Sequence, residues 1–111
     1  MKERGIRMSV LVELTMFPTD RGESVSAYVS RIIAMIDDRG LDYRLTPMGT
    51  IMEFARLDEA LTVVADAYAL LEPDCARVYA TLKLDIRKGK EGRLAQKIES
   101  VEKRLGRKAR T

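Results

Sequence analysis

The order of apolar and polar positions along the chain predicts four strands and three helices. Residues 8–17 alternate strictly, as expected of a strand with one buried face, and the alternation recurs over residues 78–87. Apolar residues follow the helical period over residues 24–40, 58–71 and 94–105. Ser24 and Asp58 are suitable N-caps for the first two helices, and Gly40 suits the C-terminal end of the first.

A short hairpin is predicted between the first two helices. Residues 41–46 and 50–54 have strand character, and Pro47 and Gly49 have the composition of a tight turn between them. The element order is therefore β-α-β-β-α-β-α. This order predicts an α+β protein with a ferredoxin-like βαββαβ antiparallel sheet and an additional C-terminal helix. We expect the helices to cover one face of the sheet and to leave the other open.

Length and composition predict a single domain. The chain has 111 residues, of which 46% are hydrophobic and 33% charged. We expect a loose N-terminal extension over residues 1–7, a ligand-binding domain over residues 8–106 and a basic tail over residues 107–111. No apolar segment approaches the roughly 20 residues of a membrane span, and the N-terminal residues lack the apolar core of a signal peptide. The single cysteine, Cys75, fits a reducing compartment, so we expect a cytoplasmic protein.

Charge is distributed unevenly along the chain. The net charge is +3, but residues 87–111 carry +7 and the remainder carries −4. The basic end could meet nucleic acid. A solvated helix face is the simpler interpretation, because an aromatic content of 5% leaves few stacking platforms for bases.

The residue types and motifs in the chain argue against the commonest kinds of catalysis. The chain has no histidine, no glycine-rich phosphate loop and no acidic loop with calcium-binding spacing. We therefore expect a protein that is not an enzyme and that holds neither a metal nor a cofactor.

The open face of the predicted sheet is where a site is expected. Strand parity places Glu13 and Thr15 there, and it favours Glu53 there too, because burying an unpaired carboxylate is costly. Apolar neighbours on this face predict a homo-oligomer, a dimer or a dimer of dimers, that packs sheet on sheet. Two interpretations of the carboxylates stay open. They pair with Lys83 or arginines, or they join nearby hydroxyls in a pocket for an amine-bearing heterocycle.

Three motifs resemble the family of small thiamine-binding proteins. The first is VELTMFPTD at residues 12–20, followed by Ser24, Val25 and Ser26. The second and most specific is the hairpin LTPMGT at residues 45–50, followed by Glu53. The third is RKG at residues 87–89 with KIESVE at residues 97–102. The resemblance covers residues 8–108, and it departs from the family at Phe54, where glycine is common.

The resemblance implies non-catalytic binding of thiamine or its hydroxymethylpyrimidine moiety in a pocket at an oligomer interface. It assigns Glu53 as acceptor for the exocyclic amine, Thr50 as a hydrogen-bonding partner of the ring, and Met48 as a further contact. Strand parity or motif position adds four candidate ligand-binding residues: Thr46, Glu13, Thr15 and Ser26. The alternative is a regulatory or scaffolding homo-oligomer that binds a protein partner, or nucleic acid through the basic C-terminal helix.

Overall fold

The computed structural model describes residues 7–111 and contains the seven predicted elements. In chain order these are β1 (Met8–Pro18), α1 (Ser26–Asp38), β2 (Tyr43–Thr46), β3 (Gly49–Phe54), α2 (Leu57–Leu71), β4 (Val78–Lys88) and α3 (Arg93–Leu105). This order confirms the predicted α+β, ferredoxin-like arrangement with an additional C-terminal helix.

The predicted N-terminal extension falls almost entirely outside the described residues. Only Arg7 is described, and its carbonyl oxygen accepts a hydrogen bond of 2.8 Å from the backbone N–H of Gly89. Its guanidinium lies 3.6 Å from the Glu91 carboxylate. The division into an extension, a domain over residues 8–106 and a basic tail stays a prediction.

The four strands form one antiparallel sheet in the order β2-β3-β1-β4. The first and last strands of the sequence are neighbours, as predicted, and they pair along their full length from Met8 opposite Lys88 to Pro18 opposite Val78. On its other side β1 pairs with β3, where Val12 lies opposite Met52. The long β1 strand is therefore the centre of the sheet.

The core lies between one face of this sheet and helices α1 and α2. The alternating apolar residues of β1 are buried, as the pattern predicts, together with Met52 and Phe54 from β3. The helices contribute a matching set of buried residues: Ile32, Ile36, Ala60, Val63, Ala67 and Leu71. Glu53 and Ile51 alternate with the buried residues of β3 and therefore face the opposite side, also as predicted.

The expectation that the helices cover only one face of the sheet is wrong for α3. This helix begins on the opposite face, where Leu94 is buried and its backbone N–H contacts Glu53. The connection from β4 passes through Gly89 and Gly92, whose φ angles of 79° and 69° are left-handed and favour glycine. The apolar stripe of α3 indicates that the helix packs against something, but it does not say which face of the sheet receives it.

Three element boundaries differ slightly from the predictions. Helix α2 begins at Leu57 with Arg56 as its N-cap, so Asp58 lies in the first turn and is not the N-cap. Helix α1 begins at Ser26 with Val25 as its N-cap, because the carbonyl of Val25 accepts the first helical hydrogen bonds from Tyr28 and Val29. Ser24 is therefore not the N-cap. In the hairpin, the turn is confined to residues 47 and 48, and the Thr46 hydroxyl oxygen accepts from the backbone N–H groups of Met48 and Gly49.

Candidate functional site

The strand register arranges the open face of the sheet into rows of neighbouring side chains. The middle row runs across all four strands and contains Arg44, Ile51, Glu13 and Lys83. In the row nearer the hairpin, Thr46 lies opposite Gly49, and a Cβ placed on Gly49 would lie 2.8 Å from Thr15 Oγ1. Glu13 therefore lies near the centre of the open face. It neighbours Gly49, which has no side chain to fill the space above the sheet.

Helix α3 covers part of these rows and encloses a cavity of about 710 Å³, which we call the α3 cavity. Its volume falls within the roughly 300–1,000 Å³ of typical small-molecule sites. The apolar walls are formed mainly by Leu11 and Ile51 from the sheet and by Leu94 and Ile98 from α3. The cavity also has polar and charged lining residues, which are Glu13, Arg44, Thr46, Lys83, Asp85, Arg93, Lys97 and Thr111.

Glu13 forms a loose ion pair across the sheet. Its Oε1 atom lies 3.3 Å from Lys83 Nζ, and the two side chains are 37% and 82% exposed. This contact agrees with the first of the two interpretations of the carboxylates, in which Glu13 pairs with Lys83. An ion pair with such an exposed lysine is weak, and no residue within 7–111 donates a hydrogen bond to the other carboxylate oxygen. Glu13 can therefore accept a hydrogen bond from a ligand in the α3 cavity.

Glu53 holds the first turn of α3. Its Oε2 atom accepts hydrogen bonds from Ser9 Oγ at 2.6 Å and from the Arg93 backbone N–H at 2.9 Å. Its Oε1 atom accepts from the Leu94 backbone N–H at 2.9 Å. Burial alone would raise the pKa of Glu53, but the hydrogen bonds from Ser9, Leu94 and Arg93 outweigh it and hold that pKa below its ordinary value. Both oxygens are thus engaged within the protein, and Glu53 does not line the α3 cavity.

Arg93 completes this attachment and is only 3% exposed. Its Nε donates to Ser9 Oγ at 2.9 Å, and its Nη1 donates to Asp85 Oδ2 at 3.0 Å. Lys97 Nζ donates to the same Asp85 oxygen at 3.0 Å. The hydrogen bond from Lys97, with that from Arg93, holds the pKa of Asp85 below its ordinary value. We call these five residues, Ser9, Glu53, Asp85, Arg93 and Lys97, the α3 anchor.

Sequence reasoning did not identify Arg93 or Ser9 as part of this group. One signal was available, because a positive charge in the first turn of a helix opposes the helix dipole. Arg93 occupies that position directly after Gly92. Such an arginine indicates a tertiary partner that compensates for the unfavourable position, here the carboxylates of Glu53 and Asp85.

Several of the hairpin candidates surround a second, smaller cleft. This hairpin cleft, of about 270 Å³, lies between the hairpin and α1 and is lined by Thr15, Thr46, Met48 and Thr50 among others. The hydroxyl of Thr15 donates to the Met48 carbonyl at 2.9 Å, and that of Thr46 donates to the Gly49 carbonyl at 2.8 Å. Thr50, which also lines the cleft, is only 6% exposed.

The predicted ligand residues are therefore divided between two sites. Glu13 and Thr46 line the α3 cavity, whereas Thr15, Thr46, Met48 and Thr50 line the hairpin cleft. Ser26 lines a separate shallow depression on α1. Thr46 borders both sites, as does its neighbour Leu45, because these are the last residues of β2 before the turn.

Other kinds of site find little support in the part of the chain that the structure describes. Over residues 7–111 no three metal-ligating side chains converge. Within the same residues, no helix combines the length and the apolar character that crossing a bilayer requires. Cys75 is a buried free thiol.

Comparison with known proteins identifies the chain's relatives. A family model described as thiamine-binding protein matches residues 12–102. A UPF0045 protein of Methanocaldococcus jannaschii is 34% identical over 92 residues, which cover 83% of this chain and 91% of that protein. A UPF0045 protein of Mycobacterium tuberculosis is 34% identical over 98 residues, which cover 88% and 96% of the two chains.

Solved structures agree with the fold. The crystal structure of a hypothetical protein from Methanocaldococcus jannaschii superposes with a TM-score of 0.75 at 33% identity and covers 84% of this chain and 95% of that one. A Thermotoga maritima protein, provisionally titled a thiamine biosynthesis/salvage protein, superposes with a TM-score of 0.64 at 22% identity and covers 84% and 98% of the two chains. At that identity the second match supports the fold alone.

Proposed function

Because this chain belongs to the thiamine-binding protein family, we propose that it binds thiamine or its aminopyrimidine half in the α3 cavity without changing it chemically. The observation that carries this proposal is the unengaged oxygen of Glu13 beside the apolar side chains of Leu11 and Ile51 in the α3 cavity. The exocyclic amine of the pyrimidine donates to that oxygen, and the ring lies against Ile51 and Leu11. We place this binding in the cytoplasm, where the reduced state of Cys75 would be maintained.

The α3 cavity supports this binding better than the hairpin cleft does. The cleft has no charged lining residue, and two of its hydroxyls already donate to backbone carbonyls of the turn. Its volume of about 270 Å³ is also slightly below the usual range for ligand sites. We therefore assign the amine-accepting role to Glu13, and we assign Glu53 to fixing the helix that forms the cavity wall.

Glu13→Gln tests this assignment. The amide keeps the size of the side chain but removes its negative charge, so we expect thiamine to bind about tenfold more weakly or worse, the cost of a lost charge-assisted hydrogen bond. Isothermal titration calorimetry measures the affinity. Glu72→Gln, at an exposed carboxylate that follows α2, is the matched control and should leave the affinity unchanged. Equal affinities of the folded Glu13→Gln variant and the native protein would refute the role of Glu13.

We further propose that the protein forms a homodimer through β4. This strand is 11 residues long and forms an edge of the sheet, so one side of its backbone has no neighbouring strand. Helices α1 and α2 leave its apolar residues Leu82, Leu84 and Ile86 exposed. A long edge strand with an apolar face favours pairing with a second copy. The sheet-on-sheet assembly expected from the sequence is less favourable, because α3 already covers part of the open face.

Ile86→Lys is expected to convert this dimer into a monomer. Each copy would then bring a charged side chain to the isologous interface in place of an apolar contact. Light scattering coupled to size exclusion should give twice the 12.6 kDa chain mass for the native protein and the single mass for the variant. Leu61→Lys on α2 is the matched control, since its exposure of 44% equals that of Ile86 within one per cent. A native monomer, or an unchanged mass for Ile86→Lys, would contradict the proposed interface.

A further inference from the structure

The side chains that line the α3 cavity carry more positive than negative charge. Arg44, Lys83, Arg93 and Lys97 are cationic at neutral pH, whereas only Glu13 and Asp85 are anionic. These six side chains therefore carry a net charge of +2. Arg44 and Arg93 have further carboxylate partners in Asp42 and Glu53, so the cations that can favour a ligand with negative charge of its own are the two lysines.

The cations on the β4 side of the cavity share carboxylates or hold them loosely. Asp85 Oδ2 accepts from Arg93 Nη1 and from Lys97 Nζ, both at 3.0 Å, and Glu53 is a second carboxylate near Arg93. The remaining lysine, Lys83, has only its 3.3 Å contact with Glu13. On the β2 side, by contrast, Arg44 has its own partner in Asp42, at 3.3 Å.

Lys83 and Lys97 can both reach a ligand. Their side chains are 82% and 59% exposed, and both residues line the cavity. Lysine binds phosphate as a flexible point charge, without the fixed geometry that arginine requires. Because Lys83 lies beside Glu13 in the same row, one ligand can donate its amine to Glu13 and direct an anionic group towards the two lysines.

We propose that the α3 cavity takes a phosphate monoester of the thiamine-class ligand in preference to the unphosphorylated form, with the phosphate between Lys83 and Lys97. This inference rests on the proposed function, because it assumes that the aminopyrimidine occupies Glu13. It adds the phosphorylation state of the ligand and the two residues that select it.

Calorimetric titration of the native protein with thiamine, thiamine monophosphate and inorganic phosphate tests the inference. Thiamine monophosphate should bind at least tenfold more tightly than thiamine. That advantage should shrink when the salt concentration rises from about 0.05 M to about 0.5 M, since exposed lysines supply it. Inorganic phosphate alone should bind far more weakly than the monoester, because it lacks the apolar and amine contacts.

Lys83→Gln identifies the source of the preference. The variant should lose most of the advantage of the monophosphate, measured as the ratio of its affinity to that of thiamine in the same variant, and Lys97→Gln should do the same. Lys83 is outside the α3 anchor, so its variant remains informative even where Lys97→Gln loosens the helix. Lys103→Gln, on the exposed part of α3, is the control.

The possible results separate this inference from the proposed function. Equal or tighter binding of thiamine overturns the phosphate preference and leaves the proposed function standing. Inorganic phosphate that binds as tightly as the monophosphate also overturns the inference, because the lysines would then be a general anion site. Binding of neither vitamin form overturns both proposals.

Discussion

Arg93→Met is expected to release α3 from the sheet and to lower the free energy of unfolding by about 3 kcal/mol. Methionine fills much of the same volume but removes all the hydrogen bonds that the buried guanidinium makes to Ser9 and Asp85. The backbone carbonyl of Ser9 then loses a donor in a buried position. Urea denaturation measures the free energy, and amide hydrogen exchange should show faster exchange in α3 than in β1.

Two further variants make this prediction specific. Arg93→Lys should recover only part of the stability, because one ammonium group cannot reproduce the forked contacts of a guanidinium. Arg104→Met, at an exposed arginine of the same helix, should have little effect. Unchanged exchange rates in α3 of the Arg93→Met variant would show that this residue does not hold the helix.

The second large effect is expected for Glu53→Gln, which should lower the free energy of unfolding by about 2 kcal/mol at neutral pH. The amide keeps one oxygen acceptor. Its NH₂ group, however, cannot accept a hydrogen bond, so the backbone N–H of either Arg93 or Leu94 loses the acceptor that it has in the native protein. The charge that faces the N-terminus of α3 is lost as well. Urea denaturation of both proteins measures the difference.

The pH dependence of this difference provides an independent check. Because the pKa of Glu53 is lowered in the folded state, its stabilising contribution is fully present above the ordinary carboxyl pKa of about 4.3. That contribution is lost as the pH falls through the lower pKa of the folded state. The native protein and Glu53→Gln should therefore differ most near neutrality and converge on acidification, whereas a difference that is independent of pH would contradict a role for the ionised carboxylate.

The sequence predicted the sheet and the core well because their signals are local. The strict alternation over residues 8–17 defines one apolar face, and Val10, Val12, Leu14 and Met16 on it are buried. The side on which Glu53 lies followed from the cost of burying a carboxylate. The pairing of Glu13 with Lys83 followed from strand parity once β1 and β4 were predicted to be neighbours.

The placement of α3 could not be predicted in the same way. Its apolar stripe is compatible with either face of the sheet, and the contact that decides between them joins Glu53 to the Leu94 backbone, 41 residues along the chain. Every residue type except proline has a backbone N–H, so the sequence does not indicate which one donates to Glu53. The α3 cavity depends on that contact. The α3 residues that line the cavity were therefore missing from the predicted site, whereas Glu13 and Thr46 on the sheet were included.

The most direct test of the central claim, that a thiamine-class ligand occupies the α3 cavity, is an NMR titration of the ¹⁵N-labelled native protein with thiamine. Saturable shifts in the backbone amides of Glu13, Ile51, Lys83 and residues 94–98 are the result that this account predicts. Shifts confined to Val29, Ile33 and Met48 would place the ligand in the hairpin cleft instead. The absence of any saturable shift at thiamine concentrations on the order of 1 mM would contradict the binding function itself.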